Sequence, residues 1–283
     1  MPLGLELVLG YNGDLTSSTF EPLTPGNNQT FNIRNFTNGK AYLEEVWGED
    51  NTSAYTLSIK SPKMHDNVYG ILLQGSPLDY AAGVSLNPQT LLPGDLTQEV
   101  YATDQLSVTV EGVTSDKFAA SFLIRYEDIS GIAARLYTPS VIESASANLV
   151  GVRVQAETSG TAGQWGTSSL FNSGLYKLKA NTDYAILGFT CSQPCVAVGL
   201  TGTDFGNLTL GGPGFFDQRW GGTYFIDLSE RYGTAHVPVF NSNNAENINV
   251  SVADVATSTE INVSFLCVQL NQLLATPQGG PGQ

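Results

Sequence analysis

Apolar and polar residues alternate with a period of two along much of this chain, and this pattern constrains the fold more than any other feature. The alternation is clearest in LELVLG (5–10), AYTLSIKS (54–61), LSVTVEGV (106–113), NLVGVRVQAE (148–157) and EINVSFLCVQL (260–270). Residues two apart share one face of a strand, so each segment predicts a strand with one apolar face. Gly-, Pro- and Asn-rich turn clusters separate the segments, and only 215–233 is compatible with a short helix. The sequence therefore predicts an all-β sandwich or barrel.

Segments of the first half resemble segments of the second half in the same order. The matched pairs, with the difference of their residue numbers, are Gly4 and Gly151 (147), Phe31 and Tyr176 (145), Tyr42 and Tyr184 (142), Ala54 and Cys195 (141), Val108 and Val250 (142), and Ser121 and Ser264 (143). The similar differences favour tandem duplication of a β-unit with about eight strands. A single β-rich protein with similar strands is the alternative.

The duplication predicts a first unit over 1–133 and a second over 134–273. The second unit is expected to contain a longer loop insertion near 210–233. The last residues, ATPQGGPGQ, predict a flexible Pro/Gly tail over 274–283, which is mobile unless a partner holds it.

Composition limits the partners. Twelve Lys and Arg stand against 26 Asp and Glu, giving a net charge of −14, although only 13% of residues are charged. Such a surface repels phosphate backbones and anionic lipids, so no nucleic-acid partner is expected. An uncharged polar surface suits a protein that is covered by neighbours. The N-terminus lacks a signal-like pattern, which predicts synthesis in the cytoplasm.

Two similar β-units of roughly 140 residues in an acidic, Asn/Thr/Gly-rich chain resemble a known family. The chain resembles the double jelly-roll major capsid proteins of tailless, membrane-containing icosahedral viruses, the lineage of tectiviruses, corticoviruses and the adenovirus hexon. The resemblance covers roughly residues 1–273 and rests on architecture and repeat spacing. It implies two tandem eight-stranded jelly rolls, all-β, in a bacteriophage-type virion protein.

The resemblance also implies a mode of assembly. Three chains with six jelly rolls form a pseudo-hexagonal homotrimer, which tiles an icosahedral shell. The expected partners are further copies of the chain, minor capsid or penton proteins and membrane-associated virion proteins. The expected location is the virion shell. Phe215, Phe216 and Trp220 are predicted to lie in a loop that makes such contacts.

Residues with catalytic potential predict no enzyme. His65 and Asp66 are adjacent, and adjacent strand residues point to opposite faces, while His236 lies in an alternating run. No hydrolase elbow, phosphate loop or zinc-binding pattern occurs. Cys191, Cys195 and Cys267 are predicted to be small buried thiols.

Acidic residues leave two further hypotheses open. Glu44, Glu45, Glu49 and Asp50 cluster near Tyr42 and Trp47, which suggests a glycoside-hydrolysing or carbohydrate-binding β-sandwich as an alternative. Another virion role, as a single-barrel capsid or spike protein, is also open. No cofactor is expected, although Glu49, Asp50 and Asp204 are candidate ligands for a structural Ca²⁺.

Overall fold

The computed structural model of this chain describes residues 3–16, 19–36, 39–64, 68, 70–76, 88–93, 96–129, 132–171 and 177–275. Strands hold 47% of the residues and helices 11%, so the predicted all-β class is confirmed. The strands form two groups along the chain. We refer to residues 3–129 as the N-terminal half and to residues 132–275 as the C-terminal half.

The described strands of the N-terminal half form two antiparallel sheets. They are β1 (Leu3–Asn12), β2 (Glu21–Pro22), β3 (Thr24–Pro25), β4 (Ala41–Asp50), β5 (Tyr55–Lys60), β6 (Ile71–Gly75), β7 (Gln98–Val100), β8 (Ser107–Glu111) and β9 (Phe118–Glu127). The strand orders of the two sheets are β3-β1-β9-β4-β7 and β2-β8-β5-β6.

The C-terminal half also contains two antiparallel sheets, together with short helices. Its strands are β10 (Leu136–Tyr137), β11 (Ser146–Glu157), β12 (Ser169–Leu170), β13 (Asp183–Cys191), β14 (Cys195–Thr201), β15 (Leu210–Gly214), β16 (Val237–Asn241), β17 (Asn249–Ala253) and β18 (Glu260–Leu270). The sheet orders are β10-β16-β13-β18-β11 and β12-β17-β14-β15. The helices are α1 (Pro139–Ala145), α2 (Gln218–Gly221), α3 (Tyr224–Tyr232) and a 3₁₀ helix at Ser242–Asn247.

The two halves share one strand order once β3 and β10 are set aside. The row β1-β9-β4-β7 corresponds to β11-β18-β13-β16, and the row β2-β8-β5-β6 corresponds to β12-β17-β14-β15. In each half the first and last long strands are therefore neighbours in one sheet. In both halves the chain crosses from one sheet to the other between corresponding strands.

A β-bulge falls at the same place in both halves. The pairing of β4 with β9 shifts between Leu43 and Glu45, and the pairing of β13 with β18 shifts between Ile186 and Gly188. The bulges are 143 residues apart (186 − 43), and the residues that face them on β9 and β18 differ by the same number (267 − 124). A bulge locally changes strand direction and twist, so its repetition is a specific correspondence between the halves.

The strand registers agree with the predicted pairs on β5, β8 and β9, and they correct two others. When Ser121 is matched to Ser264, Tyr42 corresponds to Ala185 instead of Tyr184, and Gly4 corresponds to Asn148 instead of Gly151. Alternating strands resemble each other at neighbouring shifts, which explains both errors. The pair containing Tyr176 lies outside the described residues.

Apolar side chains form two clusters, and one of them crosses between the halves. The first cluster lies between the two sheets of the N-terminal half and includes Phe118, Phe122 and Tyr126. The second fills the C-terminal half but also contains Leu7 and Trp47 from the N-terminal half. The outer face of an N-terminal sheet is thus part of the C-terminal core.

The predicted loop over 210–233 differs from the structure. Residues 210–214, which read as a turn cluster, form the buried strand β15, and the residues after it contain α2 and α3. Glycine gives β15 room against bulky neighbours, since a Cβ at Gly212 would lie 2.6 Å from the ring of Tyr224. Helix α3 ends at Gly233, whose φ of 64° is the left-handed conformation that glycine adopts readily.

The end of the described chain is held by a buried ion cluster. The backbone N–H of Leu274 donates to Asp183 Oδ2 at 2.7 Å, and Arg135 Nη2 donates to the carbonyl of Leu274 at 2.8 Å. Arg135 also pairs with Asp183 and Asp204. The predicted tail over 274–283 therefore begins at a fixed point, and residues 276–283 lie outside the described part of the chain.

Candidate functional site

The two halves of the chain meet along an apolar junction that contains residues of both. The outer face of the β1-β9-β4 sheet packs against β14 and β15 of the C-terminal half. Leu5, Leu7 and Leu9 lie on this outer face and are at most 1% exposed. Burial of one leucine side chain stabilises a fold by about 1.5–3 kcal/mol, so the three leucines alone strongly favour the junction.

Two hydrogen bonds fix the alignment of the halves. The backbone N–H of Leu7 donates to the carbonyl of Thr209 at 2.6 Å. The hydroxyl of Ser121, which is fully buried, donates to the carbonyl of Val196 at 2.8 Å. Each bond satisfies a polar group inside an apolar contact, where an unpaired group would be costly.

At Gly163 the backbone of the C-terminal half lies close to side chains of the N-terminal half, which extends the junction. A Cβ at Gly163 would lie 2.4 Å from Cβ of Tyr11 and 3.0 Å from Cβ of Ala119, and its φ is 71°. Only glycine fits both the space and the backbone conformation. Nearby, the amide of Gln164 donates to the hydroxyl of Tyr11 at 2.5 Å.

A buried ion network crosses the junction at the β4 bulge. The bulged residue is Glu44, and its carboxylate accepts from Arg125 of β9. His236 of the C-terminal half places Nε2 2.7 Å from the other carboxylate oxygen of Glu44. Both Glu44 and His236 are completely buried. The bulge directs Glu44 to these partners, and a buried charge with several partners is tolerated only in such a network.

The neighbouring residue Glu45 makes a second set of bonds across the junction. Its carboxylate accepts from Arg231 and, at 2.8 Å, from the hydroxyl of Tyr232, both on α3. Tyr232 also donates to the carbonyl of Glu44 at 2.8 Å. Burial raises the pKa of Glu45, while Tyr232 and Arg231 lower it in part. These bonds hold α3 against β4.

Two buried carboxyl groups meet further along β4. Burial raises the pKa of Glu49 well above its usual range, and the nearby Asp254 of the C-terminal half raises it further. Burial also raises the pKa of Asp254. Two close carboxylates in a nonpolar environment cannot both ionise readily, so this pair retains a proton more strongly than separate groups.

The predicted acidic cluster is divided by the strand geometry. Glu45 and Glu49 face the C-terminal half, whereas Asp50 faces the opposite side and accepts from the backbone of Thr52 at 2.9 Å. Glu45 is bonded to α3, Asp50 to the backbone after β4, and Glu49 lies beside Asp254. The arrangement does not form the pair of carboxyl groups across an open cleft that glycoside hydrolysis uses.

The calcium candidates are also separated. Asp204 lies beside Arg135 and accepts from the backbone N–H of Asn241 at 3.0 Å, whereas Glu49 and Asp50 lie on β4. Among the described residues, no group of three or more His, Cys, Asp and Glu side chains is arranged to hold a metal ion.

The remaining sequence candidates have structural surroundings. Cys191, Cys195 and Cys267 are buried free thiols. A hydrogen bond with Cys191, together with burial, raises the pKa of Cys195 well above its usual range, so its reactive thiolate form is disfavoured. His65 and Asp66 lie outside the described residues.

The predicted loop residues differ in exposure. Phe215 is buried against Phe189, with ring centroids 6.1 Å apart. Phe216 is 40% exposed and Trp220 is 58% exposed. The sequence pattern identified the aromatic character of this segment. It did not identify Arg231 and Tyr232, which reach Glu45 from the following helix.

The face of the C-terminal half that corresponds to the buried N-terminal one is exposed along β11, whereas α2 and α3 pack against its β13 part. Leu149 corresponds to Leu5, because their partners on β18 and β9 differ by the same 143 residues (268 − 125). Leu149 is 69% exposed, whereas Leu5 is 1% exposed. Ser264, the counterpart of Ser121, is exposed as well.

The face of the N-terminal half that corresponds to the covering surface is partly exposed. Leu72 of β6 is 53% exposed, whereas Ser58 of β5, with which it pairs, is 4% exposed. In the C-terminal half the equivalent pair is Gly211 with Gly199, on the two strands that cover the N-terminal sheet. The surfaces that meet in the junction therefore have counterparts in the other half that are exposed in part.

A search against protein-family models found no match, and a search of curated proteins found none either. Within the described residues, the helices are too short or too polar to span a membrane.

Proposed function

We propose that this chain is a structural virion protein, a double jelly-roll major capsid protein that assembles as a pseudo-hexagonal homotrimer. The single observation that carries the proposal is the pair of unequal faces. The apolar face buried inside the chain has a counterpart in the second half that exposes Leu149, and its covering face has a counterpart in the first half that exposes Leu72.

The strand order supports a jelly roll in each half. A jelly roll folds eight strands into two sheets, with the first and last strands side by side. Both halves have such an order, and both have the same bulge. These correspondences favour tandem duplication over accidental similarity between monotonous strands.

The junction inside the chain supplies a template for contacts between chains. It is heterologous, because one surface of the N-terminal half meets a different surface of the C-terminal half. Repeated heterologous contacts build a ring when the rotation closes. Three chains would place six similar units in one ring, as the resemblance to capsid proteins implies. Low charge density suits this burial, since only 13% of residues are charged.

The template predicts a specific contact between copies. Inside the chain, Ser121 reaches the carbonyl of Val196, and the N-terminal counterpart of Val196 is Tyr55. Ser264 of one copy is therefore proposed to lie close to Thr56, the next residue, in another copy. Further partners proposed from the resemblance are penton and membrane-associated virion proteins in the shell.

The native mass tests the proposal directly. Light scattering behind a sizing column should give about 90.3 kDa, three times the chain mass of 30.1 kDa. Electron microscopy of that fraction should show a pseudo-hexagonal outline. A 30-kDa species at every concentration would contradict assembly and would turn attention to the carbohydrate-active alternative.

Cross-linking tests the interface. A chain carrying both Ser264→Cys and Thr56→Cys, treated with a short bismaleimide, should give dimer and trimer bands on a denaturing gel. Either single variant is the control and should remain a single-chain band, because one engineered thiol per copy lacks its counterpart. Identical band patterns from the double and single variants would contradict the proposed contact.

A further inference from the structure

A cleft of about 450 Å³ opens where the two halves and α3 meet. Its floor includes Trp47, Phe215 and Tyr224, each at most 7% exposed. Residues 88–90 form one wall, and α2 and α3 form the other. The volume lies within the range of small-molecule sites, which combine an apolar floor with a few polar groups.

One aromatic side chain of the cleft is not used by the fold. Trp220 lines the cleft from α2 and is 58% exposed, whereas Trp47 is 3% exposed and packs near Tyr224 with ring centroids 6.3 Å apart. An indole combines a large flat apolar surface with one N–H donor. Such a surface on the rim of a cleft suits a ligand with a flat apolar side and polar edges.

The polar groups of the rim include both acceptors and donors. Asp227 accepts from the hydroxyl of Thr223 at 3.2 Å, and Arg231 lies one helical turn further, paired with Glu45. Gln89 and Thr90 line the opposite wall. Glu45 and Asp227 are both acidic, which disfavours an anionic ligand, while Asp227 and Arg231 offer an acceptor and a donor to the hydroxyl groups of an uncharged one. A neutral ligand with many hydroxyl groups fits both constraints.

We propose that this cleft binds a neutral saccharide, with one sugar ring on Trp220 and its hydroxyl groups directed to Asp227 and Arg231. The proposal concerns binding alone, since the carboxylate of Glu45 is held by Arg231 and Tyr232. It is independent of the assembly proposed above. The two can therefore succeed or fail separately.

Soluble neutral oligosaccharides test the cleft. The probes are the hexasaccharides of glucose in α1,4 and β1,4 linkage, of β1,4-linked N-acetylglucosamine and of mannose, titrated while tryptophan fluorescence and heat are recorded. We expect saturable binding of at least one probe. Trp220→Ala should weaken it tenfold or more, and Asp227→Asn should weaken it to a smaller extent.

Controls separate loss of the site from loss of the fold. Leu149→Ala alters an exposed apolar residue outside the cleft, so it should leave binding unchanged. The melting temperature of the Trp220→Ala variant should equal that of the parent, since this side chain is largely exposed. Absence of binding by all four probes up to millimolar concentration would overturn the proposal. Binding that survives both cleft substitutions would overturn it as well.

Discussion

The same strand arrangement occurs twice in this molecule, and its outer face is covered along the first strand in one half and exposed along the first strand in the other. In the N-terminal half the face carries Leu5 and Ser121, both buried by the C-terminal half. In the C-terminal half the corresponding face carries Leu149 and Ser264, both exposed. Two faces with the same strand arrangement thus differ in the burial of their side chains, because another part of the chain covers one and not the other at these positions. The comparison shows that the strand order determines where a sheet face lies, whereas the side chains on that face determine which surface can pack against it.

The bulge gives a second comparison at a single position. Glu44 in the N-terminal half corresponds to Leu187 in the C-terminal half (187 − 44 = 143), and both are buried. Glu44 needs Arg125 and His236 as partners, whereas Leu187 lies in an apolar cavity lined also by Ile226. The same β-bulge therefore accommodates an ion network in one half and an apolar contact in the other.

The largest expected effect comes from placing a charge on the covered face. Leu7→Asp should lower the free energy of unfolding by at least about 4 kcal/mol, because it removes a buried leucine and buries an unpaired carboxylate. Urea denaturation followed by circular dichroism measures the loss. Gly151→Asp, at the corresponding exposed position, is the matched control and should change stability by less than about 1 kcal/mol. Equal losses would contradict the difference between the faces.

The ion network at the bulge should give the next largest effect. Glu44→Gln should lower the free energy of unfolding by about 3 kcal/mol, since it leaves Arg125 with one fewer buried anionic partner. Glu127→Gln removes a more exposed partner of the same arginine and should lower it by about 1 kcal/mol or less. Both values come from denaturant midpoints at pH 7. Equal losses from the two variants would show that the contact between Glu44 and His236 does not contribute to the free energy of unfolding.

The carboxyl pair makes stability depend on pH. Burial raises the pKa of Glu49 and of Asp254 in the folded chain, so their contribution is present below the ordinary carboxyl pKa and is lost as pH rises through the raised values. Glu49→Gln should therefore raise the free energy of unfolding by about 1 kcal/mol at pH 8 and change it little at pH 4. Thermal unfolding at both pH values measures this. Glu143→Gln, on the exposed side of α1, is the control and should show no such difference.

The smallest effect on the isolated chain is expected on the open face. Leu149→Ser should change the free energy of unfolding by less than about 0.5 kcal/mol, because the side chain is 69% exposed. If the proposed assembly uses this face, the same substitution should shift the native mass from three chains toward one. A fully assembled variant would remove Leu149 from the interface.

The sequence predicted the class of the fold and most of its long strands. Alternation identified β1, β5, β8, β11 and β18, because one polar face leaves a regular pattern. It described β1 as a strand with one apolar face, yet both faces are buried over most of its length. The cue was present in LELVLG, where four of six residues are large and apolar.

Other features could not be predicted from local patterns. Strand β15 reads LGGPG, and its pairing depends on tight packing against β14 and Tyr224 instead of on strand propensity. The network from Glu44 to His236 joins residues 192 positions apart in the chain. Such a contact is visible only once the halves are brought together.

The junction joins two different surfaces, so any ring of chains that is built by repeating this contact has two unlike sides. A closed ring of identical chains joined front to back has rotation but no two-fold axis in its plane. Its upper and lower surfaces are therefore chemically different. A sheet tiled from such rings has a built-in exterior and interior without any further component to tell them apart.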